Sequence, residues 1–152
     1  MKLLSMLAIM AMAMAVGGCG TTVNSAPSNE TSLTGTHWKL VELNGKTVAA
    51  SEGRREMFMM LDKAQGRVSG NSGCNQFGGV FQISTDGFGL HFGRMMMTEM
   101  ACADMALEGE FLKVLAMTDS YHLNAEGLQL YKAKMAPLAK FVAVPDKATG
   151  KQ

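Results

Sequence analysis

The chain has 152 residues, room for one ordinary domain once any processed segment is removed. A formal charge of +1 with no run of Lys or Arg excludes the basic footprint of a nucleic-acid binder and a polybasic membrane patch. Seventeen glycines, three prolines and few aromatics point to many turns around a small core, not to a disordered chain.

Lys2 followed by the uncharged stretch Leu3 to Val16 has the layout of an export signal. It is shorter than the about 20 residues a membrane-spanning helix needs, and no stop-transfer segment follows. Val16-Gly17-Gly18-Cys19 resembles the lipobox of bacterial lipoproteins, in which small residues precede a cysteine that is diacylated before the leader is cut away. By that resemblance residues 1–18 are a lipoprotein signal peptide, and Cys19 becomes the acylated first residue of the mature chain. More than one acyl chain makes such attachment stable. An ordinary secretory cut at Ala11-Met12-Ala13 or Ala13-Met14-Ala15 is the alternative. Gly20 stands where an inner-membrane lipoprotein typically has aspartate, so the expected address in a Gram-negative host is the outer membrane, facing the periplasm. In a Gram-positive host it is the outer face of the plasma membrane.

Residues 19–32 read as the anchor and a polar, flexible tether, with a reach on the order of 20 Å. Residues 33–145 form the expected domain and 146–152 a polar tail. His37 to Leu43 alternates like a half-buried strand, and Asn44-Gly45 is a strong hairpin signal into Lys46-Thr47-Val48. Met57 to Leu61, Arg67 to Ser69, Val80 to Ile83 and Phe88 to Phe92 are further short strands. Met105, Leu107, Phe111, Leu112, Leu115 and Ala116 then recur at helical spacing, with Glu108, Glu110 and Lys113 on the other face. This predicts one amphipathic helix over about Asp104 to Met117, capped by Asp104. Ser120 to Asn124, Leu128 to Lys132 and Ala139 to Val144 resume the strand pattern. About eight strands with one helix make an α+β domain, the helix covering an open end or face of the sheet.

Several segments, in order, resemble the META domain family, which includes HslJ-like envelope lipoproteins. Gly35-Thr36-His37-Trp38 through Asn44-Gly45 is similar to its opening, and Gly70 to Gly79 matches its G-x-x-G-C-N-x-F-x-G signature. Thr98-Glu99-Met100-Ala101-Cys102 matches T-x-M-A-C, and Glu108 to Leu112 fits E-x-x-F-L. Leu128-Gln129-Leu130-Tyr131 is similar to the late L-x-L strand. Val80, where a tyrosine is usual, and the Met95-Met96-Met97 run are departures. The resemblance implies a partly open, cracked antiparallel barrel packed on a helix, similar to that of type III secretion pilotins. It implies no enzymatic activity and no shared active site. It also implies an association with the envelope, stress responses such as heat shock and, for some members, motility or secretion.

Cys74 and Cys102, the pair left after Cys19, are candidates for a disulfide in an oxidising compartment; two buried reduced thiols are the alternative. The glycines around Asn75 lack the Gly-Lys-Ser/Thr of a phosphate loop, so a bend or close backbone approach is expected, with Asn75 bonding its own turn. Met95, Met96, Met97, Met100 and Met105 are conceivable soft ligands for Cu(I), but core filling is the default. His37, His91 and His122 are isolated, with no zinc spacing, and no nucleophile–base pair stands out. No catalytic residue, metal or cofactor is therefore assigned. The expected function is a non-catalytic envelope lipoprotein with a binding or scaffold role, whose partners are the membrane, through Cys19, and an envelope protein, with no nucleic acid. One alternative is an apolar, acyl-type ligand or pilotin-like chaperoning, with Met57, Met59 and Met60 lining a groove. The other is a thiol-dependent redox protein using Cys74 and Cys102, though a Cys-x-x-Cys is absent.

Overall fold

Alternation in His37–Leu43 (β1) sends Trp38 and Leu40 inward and leaves His37 and Lys39 on the outer face. A register shift between Leu40 and Glu42 resets that alternation, so the third inward side chain is Leu43 and the glutamate stays out. The buried Trp38 indole donates to the Leu33 carbonyl at 2.9 Å, which satisfies its one polar atom. The computed structural model describes residues 31–50, 53–102, 105–133 and 135–145. The expected signal peptide, Cys19, the tether up to residue 30, the cap Asp104 and the tail 146–152 lie outside them.

Asn44 and Gly45, both at positive φ (48° and 77°), turn β1 into Lys46–Thr47 (β2), as the Asn-Gly signal predicts. The chain then forms a meander of Phe58–Asp62 (β3), Arg67–Asn71 (β4) and Gln76–Ile83 (β5). Leu90–Phe92 (β6) and Met96–Met97 (β7) share the far edge of β5, β6 on Phe81–Ile83 and β7 on Phe77–Gly78. After the helix Met105–Met117 (α1) come Ser120–Asn124 (β8), Gly127–Tyr131 (β9) and Ala139–Val144 (β10). The order is β6-β5-β4-β3-β1-β10-β9-β8, with β2 and β7 off this path and neighbouring strands antiparallel throughout.

The first and last members of that row nearly meet. Leu90 N–H donates to Asp119 O at 3.1 Å, Tyr121 N–H to Phe88 O at 3.2 Å, and Gly89 bridges Ser120. The result is an α+β barrel with an unsealed seam between β6 and β8, as expected. The helix packs against β6, and its Phe111 meets Phe77 of β5 edge-on at 5.7 Å and Phe141 of β10 at 6.1 Å. β5 and β10 are far apart in the sheet order, so Phe111 plugs the barrel across its width.

Two expectations need correction. The buried stripe of α1 is Glu108, Phe111, Val114 and Leu115, while Met105 and Ala116 are exposed and Leu107 and Leu112 only partly covered. Glu108, expected on the polar face, is instead fully enclosed. Likewise β5 runs straight through Gly78-Gly79, so of the bend or close approach expected there only the close approach holds. Close approach explains Gly79: a Cβ there would lie 2.6 Å from Met95 Sδ and 2.9 Å from Arg94 O, because the strap leading into β7 crosses over it. The actual turn is at 72–75, where Gly73 has φ 111°.

Carboxylates guard both sides of the seam. Asp119 accepts from Ala133 N–H at 2.9 and 2.8 Å and from the Ser120 hydroxyl at 2.8 Å, and these bonds hold its pKa below the usual value. The Ser84 hydroxyl and the Phe88 N–H do the same for Asp86. A depressed carboxyl contributes fully above its ordinary pKa and loses its contribution as pH falls through the lowered one. The amide protons of Ala133 and Phe88 should therefore titrate together with midpoints below the ordinary aspartate value of about 3.9. An NMR pH series checks this; midpoints at or above that value would contradict it.

Candidate functional site

The most concentrated polar cluster sits where β4 turns into β5. Asn71 Oδ1 accepts from Gly73 N–H at 2.8 Å and Asn75 O accepts from Ser72 N–H at 2.8 Å, which folds the turn tightly enough to bury Ser72 and Asn75. Asn75 is 0% exposed, and its amide is used on every side. Oδ1 accepts from Thr98 Oγ1 at 2.8 Å and Met100 N–H at 2.7 Å; Nδ2 donates to Met100 O at 3.2 Å and Glu108 Oε2 at 3.0 Å. Its side chain thus bonds the facing loop and the helix, not its own turn as expected.

Glu108 enters from the first turns of α1 at 2% exposure. Its Oε1 accepts from the Ser72 hydroxyl and from Asn75 N–H at 3.1 Å. A buried carboxylate is costly unless its lone pairs are satisfied, and here both oxygens are. Cys74 and Cys102, with Cα atoms 6.2 Å apart, are joined in a disulfide that links the same turn and the same loop. The segments held together are those carrying the G-C-N, T-x-M-A-C and E-x-x-F-L patterns.

Chemically this cluster is closed. Ser72 has no imidazole beside it, since His37 lies on the outer face, stacked on Phe58 at 4.2 Å, and His91 and His122 are exposed on β6 and β8. No group of three His, Cys, Asp or Glu side chains suited to a metal occurs among the described residues. Of the methionines, Met57 and Met59 fill the core, so with Leu61, Phe77 and Phe141 they leave no acyl groove lined by all three candidate methionines inside the barrel. Met60 alone of the three faces outward. Met95 packs partly on the core, whereas Met96, Met97, Met100 and Met105 are exposed, against the core-filling default.

Outside the barrel, the face of β3 and β4 carries two adjoining hollows of about 490 and 460 Å³ that share Met60 and Ser69. On the lining of the larger one, Glu56 bonds His37 Nε2 at 2.9 Å and Lys39 Nζ at 3.1 Å. Partial burial works to raise the Glu56 pKa, but those two partners together prevail and hold it below the ordinary value.

Sequence reasoning singled out Asn75 and the cysteines but missed Ser72, Thr98 and Glu108. The signal available was the resemblance: each missed residue lies in or beside one of the quoted motifs.

Two solved structures are similar over most of the domain. An NMR structure of a protein from Burkholderia xenovorans has a TM-score of 0.57 and 25% identity, covering 74% of this chain and 84% of that one. A second NMR structure has a TM-score of 0.53 and 25% identity, covering 69% and 87%. No curated protein matches the chain. The META domain model matches residues 31–145, the span that includes the barrel, the plugging helix and the buried turn–loop–helix cluster. The chain belongs to the META domain family.

Proposed function

We propose that this is a non-catalytic envelope lipoprotein, held at a membrane surface by acyl chains on Cys19, whose META domain binds or scaffolds a partner there. The observation that carries the reading is the closure of the polar cluster. Ser72, Asn75 and Glu108 spend their hydrogen bonds on one another and on the loop backbone, so they hold the fold and offer nothing to a substrate. The core is packed with side chains, which leaves the outer surface as the place to meet a partner.

The Cys74–Cys102 bond favours an oxidising compartment. Cys74 is nearly buried, which weighs against a thiol-exchange role because attack needs an accessible sulfur. Gly20 after Cys19 favours the outer membrane of a Gram-negative host, and an envelope or stress role follows the family resemblance.

Mass analysis of the mature protein from host membranes should find an N-terminal Cys19 carrying acyl chains. A photo-crosslinker at the exposed helix position Lys113 should then capture an envelope neighbour. A bare thiol at Cys19, or a chain cut after Ala13 or Ala15, would reject the anchor.

A further inference from the structure

The outer face of the β3–β4–β5 meander has the relief of a trough, and the strand register explains why. Met60, Ser69, Gly78 and Met96 stand in one row across β3, β4, β5 and β7. Paired residues of antiparallel strands share a face, so two methionines flank a serine and a glycine. In the next row Phe58 faces Asn71, but the Asn71 side chain turns back to the Gly73 N–H and is 4% exposed. The floor over β4 is therefore low, with Phe58 and Met60 as one wall.

β3 and β4 are each paired on both sides, so their backbone N–H and C=O groups are engaged. An occupant must be held by side chains and apolar contact, which disfavours an added strand and suits an alkyl chain. The hollow of about 490 Å³ lies within the ordinary range for small-ligand sites.

Charge selects the headgroup. Arg55 lines the trough and forms no ion pair among the described residues. Glu56 lines the same hollow but is taken by Lys39 and His37, and Asp62, on the lining of the adjoining hollow, accepts the Ala64 and Gln65 N–H groups. Lys63 lines the adjoining hollow, and Arg67 stands exposed two register pairs beyond Ser69 on β4, opposite Asp62. The uncommitted charge around the trough is positive.

We propose that this trough seats a single-chain anionic amphiphile, its acidic head on Arg55 and its alkyl chain along Phe58 and Met60. The proposal deepens the binding role given above, and it does not depend on acylation of Cys19: the mass measurement tests the anchor and the titration below tests the trough. A free fatty acid and a lysophospholipid share the required chemistry, a negative head on one acyl chain.

The test titrates the full-length, isotope-labelled chain with laurate and, separately, with lauroyl lysophosphatidylglycerol, each below its micelle concentration. Dodecyl maltoside serves as the uncharged comparison. Saturable NMR shifts at Ser69, Gly70 and Gly78 are expected with at least one anionic probe, and which of them binds names the source. Arg55→Ala should weaken binding about tenfold, as loss of one charge-assisted bond does. Ser69→Trp should fill the trough and remove binding. Gly78→Leu should do the same at a site where an added Cβ meets only Val68 O at an ordinary 3.7 Å. No saturable shift, shifts at the seam or in the core instead, equal binding of the maltoside, or undiminished binding by both folded filled variants would overturn the proposal.

Discussion

Glu108→Ala is expected to be the most damaging single substitution outside the apolar core, costing about 3–5 kcal/mol of unfolding free energy. The mechanism is the loss of acceptors at a buried site: Asn75 N–H loses its only partner, Asn75 Nδ2 keeps only Met100 O, and the Ser72 hydroxyl keeps only Asn75 O. Glu108→Gln keeps one carbonyl oxygen and the shape of the side chain, so it should cost distinctly less. Urea unfolding monitored by Trp38 fluorescence gives both values, with the slope of the transition showing whether the folded state stayed compact. A loss below about 1 kcal/mol for the alanine variant would mean that the cluster contributes little net stability.

Opening the Cys74–Cys102 bond is the second large effect. Replacing both cysteines by serine, or reducing the protein, should lower stability by about 3.5 kcal/mol, the chain-entropy value for a closed loop of this length. The bond and the Asn75 hydrogen bonds restrain the same pair of segments. Their losses should therefore be non-additive, because the first opening loosens what the second restrains. The triple variant with Asn75→Ala measures this directly. Strict additivity would show that the covalent and hydrogen-bonded ties act independently, although Asn75 is adjacent to Cys74 in sequence.

Strands that are half-buried were legible because one face of each carries a plain apolar record. Trp38-x-Leu40 and Met59-x-Leu61 announce their inward sides, and Asn44-Gly45 announces its turn. The helix over an open end or face of the sheet follows from the order of elements, but the barrel and its crack came from family resemblance, since alternation says which face is buried but not which strands adjoin. Gly78-Gly79 hides the first half of β5, because paired glycines fit a bend as readily as a strand. The close approach expected of these glycines is met at Gly79, though which segment crosses it is a tertiary fact. The helix stripe was rotated for a related reason: Glu108 has every local mark of a solvated residue, and its partners Ser72 and Asn75 lie 36 and 33 positions earlier in the chain. The outer trough was equally silent. It exists because register sets the small Ser69 of β4 beside Gly78 of β5, while Asn71 of β4 turns its side chain away.

The pairing of β1 with β10 has a bearing on how the molecule comes into being. The strand made last is not an edge added to a finished sheet; it sits in the middle, between β1 and β9. During synthesis, Trp38 and Leu40 wait with one flank open until Phe141 arrives about a hundred residues later. Such distant pairing slows folding because a long loop must close before the contact rewards it. A chain stalled or clipped before residue 139 holds two half-sheets with no keystone, and quality control would meet it as exposed strand edges.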